Sequence, residues 1–207
     1  MEQKMSDTEI KKRIVLASAS PRRKEILGSM GADFTVITAD TDERSDVTDP
    51  AELTVLLARK KGRAVYELLR DRGEDGGAII ISADTVVACD GKVLGKPHDR
   101  EDAMAMLSML SGRTHVVATG VAVTVDGETY TDCSVTEVEV DRIPQEQIEK
   151  YIDSGDPFDK AGGYGIQGSF SRWIKGIRGC YFGVVGLPVN CLSELFYRSV
   201  GCYIDEI

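Results

Sequence analysis

Histidine is nearly absent from this chain: His98 and His115 are the only two among 207 residues. That argues against a histidine-rich zinc site and against a Ser-His-Asp triad. The five cysteines (Cys89, Cys133, Cys180, Cys191 and Cys202) include no CxxC pair, so reduced thiols in a cytoplasmic protein are expected. No apolar run is long enough to cross a bilayer, and the opening "MEQKMSDTEIKKR" has no apolar signal-peptide core. No membrane association is expected. A basic excess is missing too. With 34 acidic against 25 basic residues and a net charge of −9, general binding to nucleic acid or to an acidic membrane is not expected. An acidic protein can still hold an anion in a local cationic pocket.

Hydrophobic residues make up 42% of the chain, which supports a substantial core and argues against disorder. The length suits one large domain or two small lobes around a cleft. Residues 1–12 read as a frayed arm and 13–207 as one α/β domain. "RIVLAS" and "DFTVIT" read as strands, with a helix between them capped by Ser20 and started by Pro21. An acidic loop, "ADTDERSDVT", leads to a long helix with Asp49 as cap and Pro50 first, its face formed by Leu53, Leu56, Leu57 and Ala64. Asp90-Gly91 and Asp126-Gly127 mark hairpins. "HDREDAMAMLSMLSG" and "IPQEQIEKYIDSG" read as helices. A glycine-rich loop spans 161–168, and "CYFGVVGLPVNCLSELFYRSV" reads as a strand followed by a last helix. Helices alternate with strands while hairpins intervene, which predicts an α/β fold with a mixed sheet and flanking helices.

Two glycine motifs lack their context. "GYGIQG" fits GxGxxG but does not follow a first strand, and "GKVLGKP" has short P-loop spacing with Pro97 in place of Ser or Thr. Other blocks carry more chemistry. In "LASASPRRKEIL", Arg22 and Arg23 stand in the first turn of a helix, where the dipole disfavours positive charge. A phosphate bound there by backbone N–H groups, by Ser18 and Ser20, and by a forked arginine would repair that cost. An ordinary serine cap with two solvated arginines would use the same residues. In "ISADTVV", Asp84 lies at a strand end or buried edge, as a metal ligand, a proton acceptor, or a turn aspartate bonded to backbone. Glu43 is either a second metal-side carboxylate or a solvated loop charge. Lys96 either meets phosphate as a point charge or is a surface lysine in a turn. In "GDPFDKAGGYGIQG", Asp159-Lys160 and the glycines suggest close backbone approach to a ligand, and Gln167 offers an amide that both donates and accepts, or is a loop glutamine satisfied by the protein itself.

Together "LASASPRRKEIL", "ISADTVV", "GKP", "YIDSGDPFDKAGGYGIQG" and "VVGLPV" resemble, in order and from about residue 14 to 197, the Maf family of nucleoside triphosphate pyrophosphatases. "YGIQG" resembles the branch acting on dTTP and UTP, whereas the 7-methyl-GTP branch tends to carry glutamate at the position of Gln167. The resemblance implies two lobes around a nucleotide-binding cleft, dependence on a divalent cation (Mg²⁺ or Mn²⁺), and often a homodimer. It implies Asp84 as proton acceptor, with Arg22, Thr85 and Gln167 influencing substrate choice. Ser18, Arg23, Glu43, Lys61 and Lys96 match other pocket positions. Lys61 rather than Lys60 is matched by aligning "ARKKG" with a family pattern ending in Lys-Ala, from which Gly62 departs. A non-hydrolytic nucleotide sensor regulating cell division would use the same pocket, but intact Asp84 and Glu43 favour an enzyme. A 7-methyl-GTP or broad-specificity pyrophosphatase is the other alternative. A cationic purine favours a stacking aromatic and a carboxylate, so Gln167 argues against it.

Overall fold

The computed structural model describes residues 11–207, so the expected arm lies outside the described residues over positions 1–10. Seven strands form one mixed sheet: β1 (Arg13–Leu16), β2 (Phe34–Val36), β3 (Ala78–Cys89), β4 (Lys92–Leu94), β5 (Thr114–Val125), β6 (Glu128–Val140) and β7 (Ile174–Arg178). The order is β2-β1-β3-β5-β6-β7, with β4 also paired to β3. β1 runs parallel to β2 and β3, and the remaining pairings are antiparallel. Among the described residues six α-helices flank it: α1 (Pro21–Ser29), α2 (Pro50–Asp71), α3 (Arg100–Leu110), α4 (Gln145–Asp153), α5 (Tyr181–Val185) and α6 (Val189–Val200). No described helix is long and apolar enough to cross a membrane. All five cysteines are unpaired thiols.

β3 organises the molecule because its two edges are used differently. One edge pairs with β5 without interruption, from Ile79↔Val125 to Ala88↔Val116. The other is shared. Ala78 to Ile81 pair with β1, and Val87 to Cys89 pair with β4. Residues 82–86 lie in the gap between those partners, and Asp84 and Thr85 are among them. Asp84 is therefore a mid-strand residue, not a strand-end or turn aspartate. Such a break in pairing at the carboxyl end of a parallel strand, here β1, is where open α/β sheets bind ligands.

The apolar run "AIII" is buried on both faces, as strands covered on both sides are. On one face, Ile79, Ile81 and Ala83 join a core with Leu16, Leu27, Val121, Leu192 and Phe196. Further along that face, Val87 and Cys89 join a second core with Leu107, Leu110, Val138, Ile152 and Phe170. Thr85 stands between the two, so the sheet carries two lobes with a cleft at their junction. The opposite face, with Ala78 and Ile80, packs on Val65 and Leu69 of α2.

α2 buries a different stripe from the expected one. Thr54, Leu57, Ala58, Gly62, Val65 and Leu69 face the sheet, while Leu53, Leu56 and Ala64 stay partly exposed. Small residues explain this. A Cβ on Gly62 would lie 2.8 Å from Ser82 Oγ, and one on Gly120 would lie 2.6 Å from the Val55 backbone nitrogen. The glycines admit close contact of helix and sheet, and Ser82 Oγ donates to the Ala58 carbonyl at 2.8 Å. Leucine spacing cannot reveal a face built from Gly and Thr.

Two local expectations are corrected. "CYFGVV" is helix α5, not a strand. The Cys180 sulfur accepts the Gly183 N–H at 3.3 Å as its cap, and Gly186 (φ +129°) ends it. Five residues are too few for periodicity to separate strand from helix. Ser20 makes no side-chain cap. Its N–H donates instead to Ser18 Oγ at 3.2 Å, and Pro21 begins the helix with its φ already set.

Candidate active site

A cleft of about 1330 Å³ opens at the β3 gap, and Ser18, Arg22, Arg23, Glu43, Lys61, Asp84, Thr85, Lys96 and Gln167 all line it. Neighbouring strand residues point to opposite faces, so Asp84 faces α2 and Thr85 faces the junction of the lobes. The unpaired stretch of edge lets one cavity reach both.

On the α2 side, Asp84 is 8% exposed. Lys61 Nζ lies 2.6 Å from Asp84 Oδ1 and 2.8 Å from Glu43 Oε1. One ammonium thus joins two carboxylates from separate elements. Lys60 does something else: its Nζ donates to the carbonyls of Asp42 at 3.1 Å and Arg44 at 3.2 Å. It pins the segment that carries Glu43. The structure therefore separates the adjacent lysines, with Lys61 alone reaching the carboxylates.

On the other face, Arg23 is held by three groups. Nε donates to the Gly186 carbonyl at 2.8 Å, Nη2 to Thr85 Oγ1 at 3.1 Å and Nη1 to Ser18 Oγ at 3.4 Å. Thr119 Oγ1 lies 2.9 Å from Thr85 Oγ1 and 2.8 Å from the Gly183 carbonyl. A hydroxyl has one proton. With Thr119 donating to Gly183, Thr85 donates to Thr119 and accepts from Arg23. Burial lowers the Arg23 pKa, and Asp84 opposes that shift.

Arg22 pairs with Asp159 across the cleft, Nη1 to Oδ2 at 3.2 Å, with its side chain 30% exposed. Lys160 Nζ also reaches Asp159 Oδ1 at 2.6 Å and Asp156 Oδ1 at 2.9 Å. Burial works against ionised Asp159, but the contacts with Lys160 and Arg22 outweigh it and hold the carboxyl below its ordinary pKa. The arginine pair therefore has protein partners before any anion arrives, which the helix-dipole argument did not foresee. A carbonyl and two hydroxyls hold Arg23, and a carboxylate holds Arg22. Asp159 and Lys160 signal this in "GDPFDK", where two acids precede a lysine. Gly186 lies in the block "VVGLPV", but nothing there marked its carbonyl as a partner of Arg23, and Thr119 had no distinguishing signal in the sequence.

Gln167, Lys96 and Glu43 are the exposed members of the set, and Glu43 alone of the three is paired, with Lys61. The Gln167 and Lys96 side chains have no partner among the described residues. Gln167 sits on the loop between Tyr164 and Phe170, both buried, whose rings stack with centroids 4.6 Å apart. Glycines allow that loop its path. Gly162 has φ +67°, and a Cβ there would meet the Val87 side chain at 2.9 Å.

The profile of the family described as "Maf-like protein" matches residues 13–199. The chain is similar to the dTTP/UTP pyrophosphatase of Thermococcus kodakarensis, with 44% identity over 182 residues covering 88% of this chain and 94% of that protein. The dTTP/UTP pyrophosphatase of Desulforamulus reducens is 46% identical over 185 residues (87% and 93% covered). That of Agathobacter rectalis is 47% identical over 193 residues (87% and 94%).

Proposed function

The chain belongs to the Maf-like protein family, and from that premise we propose that it hydrolyses dTTP and UTP to the nucleoside monophosphate and pyrophosphate. The observation that carries this reading is the convergence on one cleft of an arginine-bearing helix start and a buried carboxylate, Asp84, in the gap of β3.

Water attacks the α-phosphorus, and the departing pyrophosphate gains negative charge. Arg22, Arg23, Lys61 and Lys96 neutralise the phosphate chain, and Ser18 adds a hydroxyl. Arg23 is locked by Thr85 and Gly186, so little reorganisation is needed at its end. Arg22 exchanges Asp159 for a phosphate oxygen. Asp84 accepts the proton of the attacking water. Glu43 and Asp84 also suit a divalent cation: their oxygens already share one ammonium at 2.8 and 2.6 Å, and carboxylate oxygens are the donors that Mg²⁺ and Mn²⁺ prefer. No third histidine, cysteine or acid joins them among the described residues, which leaves coordination places for phosphate and water. Such an ion would supply charge neutralisation at the phosphate oxygens.

At the other end of the cleft, Gln167 reads the base. Uracil and thymine present a keto acceptor beside an N–H donor, and one amide matches both. Guanine presents two adjacent donors, which suit a carboxylate. A panel of nucleoside triphosphates with Mg²⁺ and Mn²⁺, read out as monophosphate and pyrophosphate, tests the proposal. Turnover of dTTP and UTP above GTP and 7-methyl-GTP is expected; no turnover, or release of phosphate without pyrophosphate, contradicts it.

A further inference from the structure

His115 is 2% exposed, and its Nδ1 is the one buried side-chain polar atom without a partner among the described residues. An unpaired buried nitrogen costs stability, so an apolar side chain would sit there more favourably. The other His115 nitrogen has a partner on the cleft: Nε2 lies 2.7 Å from the Tyr164 hydroxyl, with the rings edge to face at 5.3 Å.

Tyr164 closes one end of the loop that carries Gln167. It stacks on Phe170, which closes the other end, and Phe170 packs on Tyr151 with centroids 5.3 Å apart. The Tyr151 hydroxyl donates to Asp156 Oδ2 at 2.7 Å. Asp156 is tied through Lys160 to Asp159, and Asp159 to Arg22. The loop is thus clasped at its base by aromatic rings while its tip, with Gln167, is free.

β5 supplies a reference for that clasp. His115 and Thr119 are four residues apart on one strand, so their side chains leave the same face about 13 Å apart. Thr119 fixes Thr85 and, through it, Arg23 at the phosphate end. His115 fixes Tyr164 at the loop end. Val117, between them, lines the cleft. One strand thus anchors both Arg23, through Thr119 and Thr85, and the loop, through His115 and Tyr164.

We propose that His115 is a positioning residue for substrate choice: through the Tyr164 hydroxyl it holds the Gln167 loop at a fixed distance along β5 from the arginine end. The inference rests on the reading that Gln167 selects the base. Its role is indirect, since His115 itself does not reach the substrate.

Tyr164→Phe removes the hydroxyl and leaves His115 buried with no partner. His115→Leu combined with Tyr164→Phe removes both polar groups at similar volume, which restores a satisfied core. Melting temperature and the ratio of kcat/KM for dTTP over CTP and GTP are measured for each. Tyr164→Phe is expected to lower the melting temperature and to reduce the dTTP preference ~3- to 10-fold, the range of one neutral hydrogen bond. The double variant is expected to regain melting temperature while the preference stays reduced. A preference restored along with stability overturns the proposal, because the pair would then be structural only. Hydrogen exchange gives a second readout in Tyr164→Phe. Amides of Gly162, Gly163 and Ser171, which carry hydrogen bonds beside the loop, should exchange faster while those of β5 do not, and unchanged exchange with an unchanged preference overturns the proposal. Gln167→Glu separates the premise. If it leaves the substrate ranking unchanged, the base-reading role falls and the positioning role falls with it. If it changes the ranking while Tyr164→Phe does not, only the positioning role falls.

Discussion

The two ends of the cleft differ in how much of their polar chemistry is already engaged. At the β3 end, Arg23 makes three hydrogen bonds, Lys61 bridges two carboxylates and Arg22 holds Asp159. At the loop end, Gln167 stands exposed with no side-chain partner among the described residues. A phosphate chain entering the first end exchanges contacts, whereas a base entering the second adds them. Charge development at phosphorus is best met by dipoles and charges fixed beforehand. Discrimination among bases needs only that the wrong edge leave a polar group unmatched. Substitutions at the first end should therefore cost rate, and in part stability, while substitutions at the second should change preference alone.

The largest effect is expected at Asp84. Asp84→Asn should lower kcat ~10²- to 10⁴-fold, the usual cost of losing a general base, with the fold kept because Lys61 retains Glu43. Steady-state kinetics beside a thermal melt check this, and near-wild-type turnover in a folded variant would remove Asp84 from the chemistry. The arginines come next and should differ from each other. Arg23→Ala removes a charged donor from a half-buried carbonyl and two hydroxyls, so about 2–3 kcal/mol of stability should go along with activity. Arg22→Ala breaks a partly exposed ion pair worth about 1 kcal/mol or less, so activity should fall far more than the denaturation midpoint. Equal stability losses would erase the distinction between the neighbours.

These neighbours also show what was legible in the sequence. "SASPRR" pointed to a helix start with an anion-binding character, and "ISADTVV" to a carboxylate in an apolar setting. Both lie on the cleft, the first as the helix start after β1 and the second in the middle of β3, where the pairing gap opens. That Arg23 answers to Gly186, 163 positions away, could not be read locally, since the partner is a backbone carbonyl that any residue supplies. The split edge of β3 was hidden for a similar reason: "AIIISADTVVAC" reads as one strand, and only the pairing shows that its two halves have different neighbours. β7, "IKGIR", carries too few apolar residues to register, and α5 is too short to show a period. Composition did anticipate the mixed sheet, because the two Asp-Gly turns join antiparallel strands and the first helix joins parallel ones.

The support behind the loop should reveal itself through pH. Burial lowers the pKa of His115 from 6.5 to about 4. Between those values the unfolded chain binds a proton that the folded chain does not. Stability should therefore decline as pH drops from 6.5 toward 4, by no more than about 3 kcal/mol from this group, and show no contribution to the slope above 6.5. Burial raises the Tyr164 pKa, so its hydroxyl stays neutral throughout. His115→Leu should flatten the dependence of melting temperature on pH in that window, and an unchanged slope would mean that His115 is protonated in the fold. Gln167→Glu should act most narrowly. About 5- to 150-fold of the preference for dTTP and UTP over guanine nucleotides should be lost, with the melting temperature unchanged because the side chain is exposed. A stability change there without a change of preference would make the two ends of the cleft alike.

Hydrolysis of dTTP in ¹⁸O-labelled water, with the products separated and the label located by mass spectrometry, tests the central claim most directly. Attack at the α-phosphorus, where Asp84 and the arginines converge, places the label in dTMP and none in pyrophosphate. Label in pyrophosphate, or products dTDP and phosphate, would contradict it.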